Sequence, residues 1–451
     1  MEDIDSLRFA LSAFNYDVLE NQPHFPGYPL FCFLFNLLYH ITGSLGFSAS
    51  IIGGFSIFVI IVFTQKIYHL LINKDSPSLN FLLFFNPFLW LMSNRYMPDL
   101  FGLSLLVGGL YFFISNLQDP TKNKLIYLGF FIGCLTGVRL SYVPFFLPVL
   151  YLFFHKNVKY FIFSTLFFIL VWFIPWICVT NLPELIQVAV NDVQGHFFRW
   201  GGTIYSESAS FSHRFVKISE SIFADSLGMW WSGRHWITLV NSIFLILFFC
   251  ISFFRIYLDS KSLKKEFVII LLCVLCYFIW VFLFQNIVYK PRHLMPLIPL
   301  ICCLLSIGFD YLYNQINFKR IAYIMFLCLT PYILITVKVV SQHKNNSAIS
   351  QISEYVENHH VNKKIIISNQ LMNYYFYKTI DGDIIYLNHK SHNISDLNKI
   401  EYYYENDYRI FSTIMLGGED YNLINSSSFY HNPYVNKLWS SLTLYEYARK
   451  K

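Results

Sequence analysis

Ionisable side chains stand out in this apolar chain, and they gather in a few short clusters. Asp5, Asp17, Glu20 and His24 lie in the opening stretch MEDIDSLRFALSAFNYDVLENQPHFPGYPLF, and Arg95 and Asp99 in SNRYMPD. Arg139 sits in GVRLSYVP, His196 and Arg199 in QGHFFRWGG, and Lys290, Arg292 and His293 in YKPRHLMP. Carboxylates can take the proton of an attacking hydroxyl or hold a divalent cation, while Arg, Lys and His can bind a phosphate and absorb the charge it develops on leaving. Together these residue types suit transfer between a phosphate-linked donor and a hydroxyl acceptor. Each also has a plainer use. Asp5 and Asp99 fit helix N-caps, Arg139 and Arg292 fit anchors at a lipid interface, and His24 fits a backbone-holding role in its Pro/Gly turn. Asp17 and Glu20 read as solvated or structural.

The elements that must carry these residues are membrane spans. The 451 residues are 55% hydrophobic and 13% charged, with 48 Phe and 32 Tyr, against about 25% charged residues in soluble domains. Mean hydropathy is +0.45, which marks an integral membrane protein. The net charge of +6 fits basic cytoplasmic loops and does not call for nucleic acid. About ten apolar runs read as candidate spans, several of them short and 124–154 also readable as a tight helical hairpin: 47–72, 79–93, 99–116, 124–138, 141–154, 158–179, 236–256, 267–289, 294–313 and 320–340. The shorter run 28–43 follows Pro26, Gly27 and Pro29 and reads as an interfacial or re-entrant helix. The nine cysteines lie in or beside apolar stretches. Cys273 and Cys276 have zinc-ligand spacing but sit mid-span with no second pair, so they read as helix-packing residues, and neither a disulfide nor a structural metal is expected.

The loops sort by charge. QKIYHLLINKD, DPTKNK, HKNVK, RIYLDSKSLKKE and NFKR are basic, as cytoplasmic loops should be. The opposite set holds the N-terminal segment, SNRYMPD, GVRLSY, the long loop 180–235, YKPRH and the C-terminal tail, so the chemistry-bearing clusters share one outer face. The spans themselves are nearly free of charge, which argues against a transporter with a midplane site. From about residue 345 the stretches KKIIIS, DIIYL, YRIFSTI and SLTLYEY alternate with polar helical ones, the pattern of a small α/β domain. The fold expected is therefore mainly α: a polytopic transmembrane helical bundle over 1–344, with interfacial helices in the first outer loop at 1–46, and a small extracytoplasmic α/β domain over 345–451. The chain's first residues belong outside with no span before them, so a first transmembrane helix is expected to be missing from this sequence.

Four motifs in order carry a resemblance. DSLRFALSAFNYD…QPHFPGYPLF resembles the first outer loop of bacterial and archaeal members of the GT-C glycosyltransferase superfamily, which contains protein O-mannosyltransferases and lipid A aminoarabinose transferases. SNRYMPDLFG resembles its second-loop acidic motif, and TGVRLSYVPFFLP and KPRHLMPLIPL its later arginine-bearing motifs. The resemblance covers about residues 1–340 and, in outline, the C-terminal domain; members normally carry a span before the Asp motif, and this chain departs from them there. It implies an inverting enzyme of the plasma (bacterial inner) membrane that moves a sugar from a polyprenyl-phosphate donor to a hydroxyl of a lipid, glycan or protein acceptor. Carried over, the catalytic base falls on Asp5, with Asp3 as the less well matched neighbour, and the second-loop acid on Asp99. The phosphate-side basic groups fall on Arg139 and Arg292, with His24 and Lys290 as helpers; His196 and Arg199 are further outer-face candidates. No spacing identifies a metal site; Mg²⁺ or Mn²⁺, if bound, would be expected at Asp5 and Asp99. The competing readings are a lipid-linked sugar flippase or other transporter and a non-catalytic membrane scaffold.

Overall fold

The computed structural model of the chain describes residues 4–154, 157–200, 202–206, 210–258, 265–288, 290–315, 318–342, 345–359, 363–388, 408–416, 421–431 and 440–449, with the backbone alone at 318–325. The chain forms two compact units, one of residues 12–343 and the other of residues 1–11 with 344–451.

Helices dominate. The N-terminal helix α1 (Ile4–Ser12) belongs to the smaller unit up to Leu11. In the larger unit, α2 (Pro29–Thr42) is apolar, but its fourteen residues rise only about 21 Å, short of a hydrocarbon core of about 30 Å. Next comes α3 (Leu45–Ile72), started by Ser44, whose side chain accepts from the Phe47 N–H. The expected span 79–93 is instead two short helices, α4 (Pro77–Phe84) and α5 (Pro87–Ser93). The break has a local cause: Pro87 has no N–H to give, and the Asn86 side chain accepts from Phe88 N and Leu89 N, which starts a new helix. Further along come α6 (Asp99–Gln118) and α7 (Lys122–Val138). The run 140–154 then winds as a 3₁₀ helix containing Pro144 and Pro148. At about 2 Å per residue, its fifteen residues reach about 30 Å.

The remaining helices of this unit are α8 (Val158–Thr180), α9 (Leu182–Phe198), α10 (Phe211–Ser219), α11 (Ile237–Leu258), α12 (Lys265–Phe284), α13 (Ile298–Gln315) and α14 (Phe318–Ser341). Among the described residues, six helices are long and apolar enough to cross a membrane: α3, α6, α8, α11, α12 and the continuous helical stretch Pro291–Gln315 that contains α13. Six of the ten expected spans meet that measure among the described residues. The four others are the broken 79–93, the seventeen-residue α7, the 3₁₀ run, and α14, whose apolar part with described side chains is Phe326–Ser341. The long connection 180–235 between spans carries helices of its own, α9, α10 and a π-helical turn at Glu220–Ser226.

Small residues bring α7 and α8 together. Gly129, Gly133 and Gly137 recur every fourth residue, and a methyl at Gly133 would lie 2.8 Å from Thr165 O and from Phe168 Cβ. The close approach lets Ser164 Oγ donate to Ile126 O at 2.7 Å and Trp172 Nε1 to Gly133 O at 3.0 Å. Packing of this kind replaces the hydrophobic drive that helices lack inside lipid. It fixes the C-terminal end of α7, where Arg139 stands.

The smaller unit completes the helix count with α15 (Ala348–Glu357) and α16 (Gln370–Thr379). Its five strands are β1 (Lys363–Ser368), β2 (Ile384–Asn388), β3 (Tyr408–Ser412), β4 (Tyr421–Tyr430) and β5 (Ser441–Arg449), in sheet order β2-β1-β3-β5-β4. The β2-β1-β3 part is parallel and the β3-β5-β4 part antiparallel. Alternation along β1 turns Ile366 to one face and Ile365 and Ile367 to the other. On the first face Ile366, Phe411 and Leu444 pack with α15, α16 and, from the far N-terminus, Leu7 and Leu11 of α1. Residues 1–11, which the sequence reading placed with the membrane part, are thus built into this unit. Strand β4 was not expected; its sequence YNLINSSSFY lacks an apolar face because most of it is exposed.

Candidate functional site

Asp99 is the first residue of α6, directly after Pro98. A helix N-terminus favours a carboxylate, yet this one is buried, with 1% of its surface exposed, so it needs a partner. Arg139 supplies it: Nη2 lies 2.9 Å from Asp99 Oδ1. Arg292 approaches the same oxygen, with Nε at 3.9 Å. Both arginines are buried. One carboxylate faces two guanidinium groups that remain charged at any ordinary pH, and all three groups lie buried out of bulk water.

Each arginine is held from several sides. Arg139 follows the last residue of α7, and its backbone N–H caps that helix on Leu135 O. Its side chain passes α6 at Gly102, where a methyl would stand 2.7 Å from Arg139 Cβ; only a bare position admits it. Its Nη1 donates to Tyr28 Oη at 3.2 Å, and Tyr28 Oη shares a hydrogen bond with His24 Nε2 at 3.0 Å. The guanidinium also lies 5.7 Å from the ring centres of Tyr28 and Tyr142, within cation–π range. On the other side Tyr277 of α12 donates to His293 O at 2.7 Å, which ties that helix to the residue next to Arg292. Tyr142 and Tyr277 pack edge to face, 6.0 Å apart.

A second cluster lies where α12 ends. The last carbonyls of a helix have no partners within it, and here four in succession are taken by residues 196–214. Arg214 Nε donates to Phe282 O at 2.9 Å, Ile204 N to Leu283 O at 3.0 Å, and Arg214 Nη2 to Gln285 O at 2.9 Å. His196 Nε2 takes Phe284 O at 2.8 Å. Arg214 Nη1 also donates to Gly202 O at 2.8 Å, and the side chain is fully buried. These bonds fix the end of α12, and with it the start of the stretch leading to Lys290 and Arg292. Burial lowers the His196 pKa; the hydrogen bond to Phe284 works the other way, and the positive charges of Lys290 and Arg139 add to the lowering.

The larger unit thus brings together Asp99, Arg139 and Arg292, with His24 joined through Tyr28. Lys290 stands half-buried two residues before Arg292. His196 serves as a cap on α12, and Arg199 is exposed at the end of α9. Asp5 is buried in α1, in the other unit, with Arg8 Nη1 at 3.6 Å. Asp3 lies outside the described residues. Asp17 holds a turn, its Oδ1 accepting from Leu19 N at 2.9 Å and Glu20 N at 3.3 Å. No group of three His, Cys, Asp or Glu suited to a metal occurs among the described residues. Asp99 suits one poorly, because a guanidinium already sits against its oxygen. Tyr28, Tyr142, Tyr277 and Arg214 were not singled out in the sequence: tyrosine is too frequent here to signal a site, and SHRFVKIS reads as any amphipathic turn.

No protein-family model and no curated protein matches the chain. Solved structures do. The crystal structure of ArnT from Cupriavidus metallidurans bound to undecaprenyl phosphate aligns with a TM-score of 0.59 at 10% identity, covering 99% of this chain and 94% of that one. The apo form of the same protein aligns with a TM-score of 0.54 at 9% identity and the same coverage. At such identity the likeness concerns the fold alone: this chain shares the fold of ArnT.

Proposed function

We propose that this chain is an inverting GT-C-type glycosyltransferase that moves a sugar from a polyprenyl-phosphate donor to a hydroxyl acceptor at the outer face of the bacterial inner membrane. The observation that carries this reading is the buried Asp99–Arg139–Arg292 group, which sets two guanidinium groups side by side against one carboxylate oxygen. An anion brought to such a site meets preorganised donors away from water, where charge is stabilised most strongly. The neighbouring ArnT was crystallised with undecaprenyl phosphate, which supports a lipid phosphate as that anion.

In this mechanism the acceptor oxygen attacks the anomeric carbon while the bond from that carbon to the phosphate oxygen breaks. The acceptor proton passes to the Asp5 carboxylate, and the electron pair leaves with the polyprenyl phosphate. Arg139 and Arg292, assisted by His24 and Lys290, stabilise the charge on that phosphate. Asp99 orients the guanidinium groups. The test uses purified protein in liposomes with a radiolabelled polyprenyl-phosphate sugar and a panel of lipid and glycan acceptors. Transfer of label that vanishes in Asp5→Asn with the fold intact is the expected result. A fully active Asp5→Asn protein removes the mechanism; movement of the label across the bilayer without transfer makes the protein a flippase, and neither outcome with wild type makes it a scaffold.

A further inference from the structure

Helix α9 divides into three faces. At about 100° per residue, Leu185, Val188, Ala189, Asp192, Gly195 and His196 fall on one side, and all of these are buried or half-buried. Glu184, Gln187, Asn191 and Gln194 form an exposed polar side. Between the two runs a stripe of Leu182, Ile186, Val190 and Val193, each 45 to 55% exposed. Exposed apolar stripes of this length on a helix otherwise sided by protein and polar residues call for a cover.

Both ends of α9 are tied to ends of spans. At its start only Asn181 separates it from α8. At its other end His196 bonds the last turn of α12 at Phe284 O. Midway, Asp192 Oδ2 accepts from Phe25 N at 3.1 Å. A helix of seventeen residues, about 25 Å long, strung between the ends of two spans lies across them, at the level where the spans leave the bilayer. The apolar surface continues beyond it: exposed Phe198 contacts Tyr205, Tyr205 stacks on Phe284, and α12 below presents exposed Leu275 and Ile279.

We infer that α9 is an interfacial helix, its Leu182–Ile186–Val190–Val193 stripe seated in the acyl region of the outer leaflet and its polar side in the headgroups and water. Such a helix holds the His196 cap, and through it the end of α12, at headgroup depth, the level at which a lipid-borne phosphate meets Lys290. The inference rests on the membrane reading and not on sugar transfer. It is tested with the full chain in nanodiscs of phosphatidylethanolamine and phosphatidylglycerol, carrying the photo-crosslinker p-benzoylphenylalanine in place of Ile186, Val190, Gln187, Asn191 or, as a control on the span, Leu275. After irradiation, mass spectrometry should find lipid adducts at 186, 190 and 275, at least about tenfold above those at 187 and 191. Equal yields at the four α9 positions, or covalent dimers from 186 and 190, overturn the inference and, in the second case, assign the stripe to a second copy. Absence of adducts at 275 as well removes the membrane reading and the inference with it.

Discussion

At the start of α6, Arg139 meets a carboxylate and two tyrosines; at the end of α12, Arg214 donates to three backbone carbonyls. Both side chains are buried, and both sit where the helix dipole suits the local charge, with Asp99 at an N-terminus and Arg214 at a C-terminus. The difference lies in what an incoming ligand can change. Arg214 spends three donors on neutral groups that belong to the fold, and a ligand can take none of them without opening a helix end. Arg139 is held by side chains, the Asp99 carboxylate and the Tyr28 hydroxyl, so an anion can compete for it without opening a helix end. Burial and charge alone do not mark a binding arginine; the kind of atom it already holds does.

Substitutions separate the two cases, beginning with the largest effect. Arg214→Leu leaves three buried carbonyls without a donor, at about 1–3 kcal/mol each, and is expected to unfold the chain or lower its melting temperature sharply in nanodiscs. If the variant melts like wild type, Arg214 is not a staple and the contrast with Arg139 collapses. Asp99→Asn breaks the buried ion pair with Arg139, a loss of about 3–5 kcal/mol, with labelled-donor binding altered along with stability. An effect on melting with donor affinity unchanged would place Asp99 with the structural arginine and not with the ligand. Tyr28→Phe removes only the hydroxyl between His24 and Arg139, worth about 1 kcal/mol; melting should shift by a few degrees while donor affinity falls several-fold.

The smallest effect is one of pH. Burial lowers the folded-state pKa of His196 below its ordinary value, about 6.5, so the unfolded chain takes the proton first. The stability that His196 contributes is then complete above about pH 6.5 and declines as the pH falls through the lower folded-state value. His196→Gln should flatten the melting-temperature profile in that acidic range and leave the neutral range almost unchanged.

Much of the candidate site was legible in the sequence. Asp5, Asp99, Arg139 and Arg292 are conspicuous because charge is rare in apolar surroundings; of these the structure brings Asp99, Arg139 and Arg292 together, while Asp5 belongs to the other unit. Their aromatic and backbone supports were not legible, since Tyr28, Tyr142 and Tyr277 are three among 32 tyrosines. The spans illustrate a different limit. Counting apolar residues treats every run as an α-helix, so it missed the Asn86-Pro87 restart and could not foresee that 140–154 would stretch as a 3₁₀ helix. The sheet divided in the same way: β1, with its run of isoleucines, announces itself, whereas the polar β4 is held by pairing with β5 and carries no pattern of its own. The placement of α1 depends on Leu7 and Leu11 meeting residues more than three hundred positions away, which no local pattern records.

The bare backbone at Gly102 makes the position of Arg139 a matter of clearance. Where α6 and α7 pass, there is room for one side chain, and it belongs to the arginine. A single methyl group on α6 would therefore disarm the acid–guanidinium pair while leaving every charged residue in the sequence unaltered.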